Sequence, residues 1–233
     1  MKNEKVKEKL KEKVQKSEIK GDEMMSVLKN LLKSNRVVGI CGNRGSGKSS
    51  LALIELIKLK EDMTKNNIKF PVYVFGVEES LKPYLKTKGI QFLYNKEDIW
   101  GLNIKNAVIY VDEIANFVST QTRDKETDKF KRFIVRIAHQ NCWFILSTAE
   151  VGFWNKLACN LINAFIVKEI ELDALVNGTW LKRLVMGLER TSDYRVDMPK
   201  NTFYVLESNN LTAKCTFEYD KNVDAKANYI NPF

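Results

Sequence analysis

Gly42-Asn43-Arg44-Gly45-Ser46-Gly47-Lys48-Ser49 follows the pattern G-x-x-x-x-G-K-S, and its flanks suit a phosphate-binding loop. Before it, Val37-Val38-Gly39-Ile40-Cys41 is a short apolar run that reads as a buried parallel strand. After it, Ser50-Leu51-Ala52-Leu53-Ile54-Glu55-Leu56-Ile57 reads as a helix. The glycines let consecutive backbone N–H groups curl round a phosphate, and the helix N-terminus behind them adds a favourable dipole. Gly42 to Ser50 are therefore expected to cradle the phosphates of a nucleoside triphosphate. Lys48 would reach the β- and γ-phosphates, and the Ser49 hydroxyl would ligate Mg²⁺. A glycine-rich turn that binds nothing would not need this strand and this helix.

A second stretch bears on what happens to the nucleotide. Ala107-Val108-Ile109-Tyr110-Val111-Asp112-Glu113 is an apolar strand ending in two adjacent carboxylates. Asp112 stands where an acidic residue holds Mg²⁺ through its water shell. Glu113 stands where a carboxylate can polarise a water for attack on the γ-phosphate. Strands also end in polar residues for no catalytic reason, so the pair alone is only moderately specific. Together with the upstream loop it points to hydrolysis.

The chain has 233 residues, enough for one well-cored α/β domain with additions. Hydrophobic residues at 44% and charged residues at 29% are ordinary globular values, which argues against a disordered chain. No apolar run approaches the roughly 20 residues that span a bilayer, and the Lys/Glu-rich start shows no secretory signal. Cys41, Cys142, Cys159 and Cys215 are scattered, so reduced thiols in a cytosol-like compartment are expected. His139 is the only histidine, which disfavours a histidine metal site and leaves any Ser-His-Asp triad that one residue. The formal charge of +9 favours a polyanionic partner, nucleic acid or an anionic membrane surface.

Three regions are expected. Residues 1–35 form a basic, amphipathic helical arm: the first 20 carry eight lysines and four glutamates around Val6, Leu10 and Val14. Met24, Met25, Val27, Leu28, Leu31 and Leu32 then mark a stronger helix. Residues 36–198 alternate strands (36–41, 71–76, 90–94, 107–112, 143–148, 164–169) with helices (48–61, 79–87, 126–140, 153–161, 171–188). Such alternation implies a mainly parallel sheet with helices on both faces. Residues 199–233 read as a β-hairpin appendage, with Thr202 to Glu207 and Leu211 to Tyr219 flanking Ser208-Asn209-Asn210.

Other candidates are less specific. Trp143 to Thr148 is a third buried strand ending in small polar residues, and Ser147 or Thr148 can serve as a polar sensor of the γ-phosphate. The helix at 126–140 carries Lys129, Arg132 and Arg136 on one face, where a guanidinium suits transferring phosphate in a neighbouring subunit. A solvated basic face accounts for the same spacing. The stretch from Ser119 to Lys131 reads as a loop touching nucleic acid or an exposed connection. Trp143 and Trp180 read as core, and Trp154 as an interface residue.

These motifs together resemble the FtsK–HerA superfamily of DNA-pumping ATPases, most closely the small genome-packaging ATPases of icosahedral viruses. The loop from Gly42 to Ser49 carries the resemblance, with Val111-Asp112-Glu113-Ile114-Ala115-Asn116, similar to the family's V-D-E-φ-A-D. Ile134 to Asn141 is similar to its arginine-bearing helix, Ile145 to Ala149 stands where it has φ-φ-A-T-Q, and Leu161 to Val167 resembles its N-x-φ-φ-φ-φ strand. Two departures stand out. Ala149 occupies the sensor glutamine position, leaving Thr148 or Glu150 to substitute. Ala138 occupies the usual arginine position, leaving Arg136 and Arg132.

The resemblance implies a RecA-like α/β fold of the ASCE type and ATP-driven translocation of double-stranded DNA without sequence preference. It also implies a homo-oligomeric, hexameric ring, a capsid or vertex docking partner, and a place in the host cytoplasm or virion. Glu113, Lys48, Arg136, Arg132 and Thr148 would be the catalytic set. A conjugation pump or phage-assembly ATPase of the same superfamily is the nearest rival. A P-loop small-molecule or nucleotide kinase, which would need an acceptor substrate, and a non-hydrolysing nucleotide switch are rivals of other classes.

Overall fold

The computed structural model describes residues 18–19, 27–95, 97, 99, 104–117, 132–133, 140–149, 162, 164–168, 201–207, 210–218, 220 and 222–223. Strands β1 (Glu18–Ile19), β2 (Val37–Cys41), β3 (Val72–Phe75), β4 (Ile90–Phe92), β5 (Val108–Val111), β6 (Trp143–Thr148), β7 (Ala164–Val167), β8 (Thr202–Glu207) and β9 (Asn210–Thr216) form one sheet. Its order is β1-β9-β8-β7-β2-β6-β5-β3-β4.

The run from β7 to β4 is parallel throughout. All residues of β2, β5 and β7 are buried, which is why they read as unbroken apolar runs rather than alternating ones. β2 lies between β6 and β7: the chain leaving β2 runs to β3 on the β6 side, and the chain leaving β7 runs to β8 on the other. Such a switch point opens a crevice at the C-terminal ends of the strands, where doubly wound sheets bind ligands.

Helix α1 (Val27–Ser34) buries Val27, Leu28, Leu31 and Leu32, the i, i+3, i+4 stripe seen in the sequence. It packs on α2 (Lys48–Lys65), and Lys29 pairs with Asp62 at 2.7 Å. Because α2 is covered by the sheet and by α1, it buries residues on most sides, from Leu51 to Met63. The Trp143 indole at the start of β6 donates to Leu32 O at 2.9 Å and receives the Arg36 guanidinium 4.2 Å above its ring. Helix α3 (Lys82–Thr87), entered through a 3₁₀ turn at Glu79–Leu81, leads into β4.

The expected hairpin is present, with β8 and β9 antiparallel. It does not stand apart: β8 pairs antiparallel with β7, so residues 202–216 extend the core sheet. Beyond it, Asp220 accepts a 2.7 Å bond from the Tyr84 hydroxyl on α3, and Phe217 and Val223 join the core. The first 20 residues read as helical, but Glu18–Ile19 is a short strand parallel to β9; a sheet edge at that point offers its backbone a partner. The helices expected at 153–161 and 171–188, and nearly all of 126–140, lie outside the described residues.

Gly76, just after β3, has φ 74°, and a Cβ there would lie 2.7 Å from the Asp112 carbonyl oxygen. Gly89 has φ 73°, but a Cβ there would meet only the flexible Lys60 side chain, at 3.2 Å. Alanine carries a left-handed penalty of roughly 1–2 kcal/mol at either position, and only at Gly76 does it also strike backbone. Gly76→Ala is therefore expected to lower the unfolding free energy in urea by more than Gly89→Ala. An equal or smaller loss at Gly76 would contradict that close approach.

Candidate active site

The loop from Gly42 to Gly47 joins the C-terminal end of β2 to α2, and Gly47 at φ 85° turns the chain into the helix. The Lys48 ammonium folds back to donate to Asn43 O at 2.9 Å. Lys48 is only 6% exposed. Burial pulls its pKa down, while the charges of Glu113 and Asp112 push it back up. The Ser46 hydroxyl is buried within the loop and has no hydrogen-bond partner. A buried hydroxyl without a partner is costly, and a phosphate oxygen would satisfy it.

The register of the sheet brings the second motif to this loop. β6 is paired on one side with β2 and on the other with β5, so the ends of β2 and β5 lie two strand spacings apart. Ser49, in the first turn of α2, bridges that gap and donates from Oγ to Asp112 Oδ2 at 2.8 Å. Hard oxygen donors from a hydroxyl and a carboxylate suit Mg²⁺, which usually takes its other ligands from water and substrate phosphates. Among the described residues no cluster of three or more His, Cys, Asp or Glu is placed to hold a metal. Ser49 and Asp112 supply two hard oxygen donors, side by side.

Asp112 Oδ1 is held from the other side. The Tyr110 hydroxyl donates to it at 2.7 Å and the Ser147 hydroxyl at 2.5 Å. Glu113 adopts φ 44°, ψ 60°, a left-handed conformation unusual for a residue with a long side chain. In that conformation its N–H donates to Ser147 Oγ at 3.2 Å. Its carboxylate accepts from the Thr148 hydroxyl and from the Ala149 N–H, at 3.0 Å to Oε1 and 3.2 Å to Oε2. The end of β6 thus engages both carboxylates, Ser147 holding Asp112 and Thr148 holding Glu113.

No protein-family model matches the sequence, and no curated protein matches it. Solved structures do match. B204, the DNA-packaging ATPase of Sulfolobus turreted icosahedral virus, superposes with a TM-score of 0.55 at 19% identity, over 75% of this chain and 93% of that one. The genome-packaging NTPase B204 of Sulfolobus turreted icosahedral virus 2, in complex with ATP-gammaS, gives 0.51 at 16% identity over 75% and 93%. EssC (ATPases 2 and 3) from Geobacillus thermodenitrificans gives 0.53 at 15% identity, over 80% of this chain and 41% of that one. The chain shares the RecA-like P-loop fold of these ATPases.

Within that RecA-like fold the structure brings Gly42 to Ser50, Asp112, Glu113, Ser147 and Thr148 together. Arg132 is on helical backbone with its side chain exposed, while the adjacent Phe133 is buried edge-on against Phe144 of β6 at 4.7 Å. Arg136, His139, Glu150, Trp154 and the stretch from Ser119 to Lys131 lie outside the described residues. Asn141, which the motifs grouped with the arginine-bearing helix, lies at the opposite end of the sheet, bonded to Arg36 and Asn106 at 3.1 and 2.9 Å. Cys41 is fully buried beside the loop, and burial pushes its thiol up to about 12, so it stays protonated. Tyr110 and Gly76 were not singled out from sequence. The polar tip of Tyr110 in a Val/Ile strand, two residues before Asp112, was the available signal.

Strain at Glu113 can be tested without an activity assay. Glu113→Ala and Glu113→Gly both delete the carboxylate, but only alanine keeps a Cβ in the left-handed region. The glycine variant is expected to be the more stable by roughly 1–2 kcal/mol in denaturant unfolding. An alanine variant as stable as the glycine one would contradict the left-handed backbone.

Proposed function

We propose that this protein is a Mg²⁺-dependent ATPase that moves double-stranded DNA, as the motor of viral genome packaging. The observation that carries the reading is the Ser49–Asp112 contact at 2.8 Å, with the Glu113 carboxylate on the next residue. One strand end thereby offers a carboxylate for a cation and a carboxylate for water, at the mouth of a phosphate-binding loop. The named activities of the structural neighbours are consistent with this reading.

In this reading the loop N–H groups and the Lys48 ammonium hold the triphosphate, the ammonium exchanging Asn43 O for phosphate oxygen. The Ser49 hydroxyl would ligate a bound cation and Asp112 Oδ2 would hold it through its water shell, and the cation would supply positive charge against the phosphates. Glu113 orients a water and takes its proton, its carboxylate steadied by Thr148 and the Ala149 N–H. The backbone amide of Ala149 offers a donor near where the family carries a glutamine side chain.

The exposed Arg132 stands outward on a segment anchored through Phe133, which suits action on the ATP of a neighbouring subunit in a ring. Arg136 is the alternative on helical spacing. The lysine-rich charge of +9 suits phosphate contacts to duplex DNA that are independent of sequence.

Two variants separate binding from chemistry. Lys48→Ala is expected to weaken ATP binding and abolish turnover. Glu113→Gln is expected to bind ATP and hydrolyse it at least ~100-fold more slowly, the loss typical of a missing general base. Turnover near the wild-type rate in Glu113→Gln would reject the role given to Glu113.

A further inference from the structure

Asp112 is the residue on which the metal reading turns, and a carboxylate at a strand end can rotate. Three hydroxyls fix this one. Ser49 approaches Oδ2 at 2.8 Å, while Tyr110 and Ser147 approach Oδ1 at 2.7 and 2.5 Å. Tyr110 and Asp112 are two residues apart, so the strand directs both side chains to one face. Pairing of Tyr110 with Ile145 and Val111 with Leu146 brings Ser147 opposite Asp112 on the neighbouring strand.

Proton counting shows what the pair does. Tyr110, Ser147 and Asp112 Oδ1 make three mutual oxygen contacts, the third being Tyr110 to Ser147 at 3.1 Å, but only two hydroxyl protons are present. Ser147 Oγ accepts the Glu113 N–H at 3.2 Å and donates its own proton to Asp112, its shortest contact at 2.5 Å. The Tyr110 proton goes to the same oxygen. Oδ1 is then filled by two charge-assisted bonds, and Oδ2 faces Ser49. Tyr110 and Ser147 are both fully buried, so water does not substitute for either hydroxyl.

We propose that Tyr110 and Ser147 are positioning residues that lock the Asp112 carboxylate with Oδ2 turned toward Ser49, so that the two oxygens form a pre-set half-site for a divalent cation bound with a triphosphate. This rests on the ATPase reading above. Both hydroxyls donate to Asp112 Oδ1, and each acts through it. A valine or isoleucine at position 110 would extend the apolar run of β5 but leave Asp112 Oδ1 with one donor.

The test is equilibrium binding of a non-hydrolysable ATP analogue to the full chain, measured in Mg²⁺ and again in EDTA. Tyr110→Phe removes a single oxygen. In EDTA its affinity is expected to match wild type within twofold. In Mg²⁺ it is expected to fall about 10-fold, the usual scale for losing a group that orients a metal ligand. Ser147→Ala, which also strands the Glu113 N–H, is expected to lose at least as much and provides a second route if Tyr110→Phe folds poorly. An equal loss in Mg²⁺ and EDTA marks a merely structural role and overturns the proposal, as does an unchanged affinity of both variants in Mg²⁺. A wild-type chain whose affinity does not depend on Mg²⁺ would instead sink the metal reading of Ser49 and Asp112.

Discussion

The hydrogen bond from Ser49 to Asp112 joins residues 63 positions apart in the chain, and the placement of the other site residues depends on what makes it possible. The phosphate loop leaves β2, the carboxylates leave β5, and β6 lies between them with a register that brings all three strand ends to one level. A slip of one residue in either pairing would exchange the faces that Ser147 and Thr148 present to the neighbouring strand ends. The parallel core makes such a slip costly because every residue of β2, β5 and β7, and all of β6 after Trp143, is already buried. Gly76 meets a related demand: the turn after β3 passes so close to the Asp112 carbonyl that a side chain there has no room.

The electrostatics follow from the same crowding. Two carboxylates on adjacent residues repel one another, and burial penalises the Lys48 ammonium. Lys48 offsets the negative charge, and the end of β6 supplies donors to each carboxylate. The left-handed backbone of Glu113 is held by those same donors, which receive its carboxylate and, through Ser147, its N–H. The strain therefore sits at the residue assigned to water activation. Removing its side chain is expected to relax the fold while abolishing the chemistry, a common trade at catalytic positions.

Much of this was legible in the sequence because its signals are local. The glycine pattern with apolar flanks, the Asp112-Glu113 pair closing a Val/Ile run and the alternation of strands with helices each need only neighbouring residues to be read. The hydroxyls at the end of β6 were visible, but their division of labour was not, since pairing Ser147 with Asp112 and Thr148 with Glu113 requires the strand register. Tyr110 was hidden for a related reason: its ring fills the apolar strand as an aliphatic residue would, and only the fold reveals what its hydroxyl meets. The hairpin was read correctly as a hairpin. That β8 would pair with β7 and extend the sheet depends on a contact between segments far apart in the chain.

The most direct measurement is release of inorganic phosphate from ATP by the purified chain, with water as the only acceptor, followed with and without duplex DNA. The account predicts phosphate accumulating over many turnovers per chain, faster with duplex DNA of any sequence, and halted when EDTA removes Mg²⁺. Phosphate release no greater than that of a Lys48→Ala chain, with DNA present or absent, would contradict it.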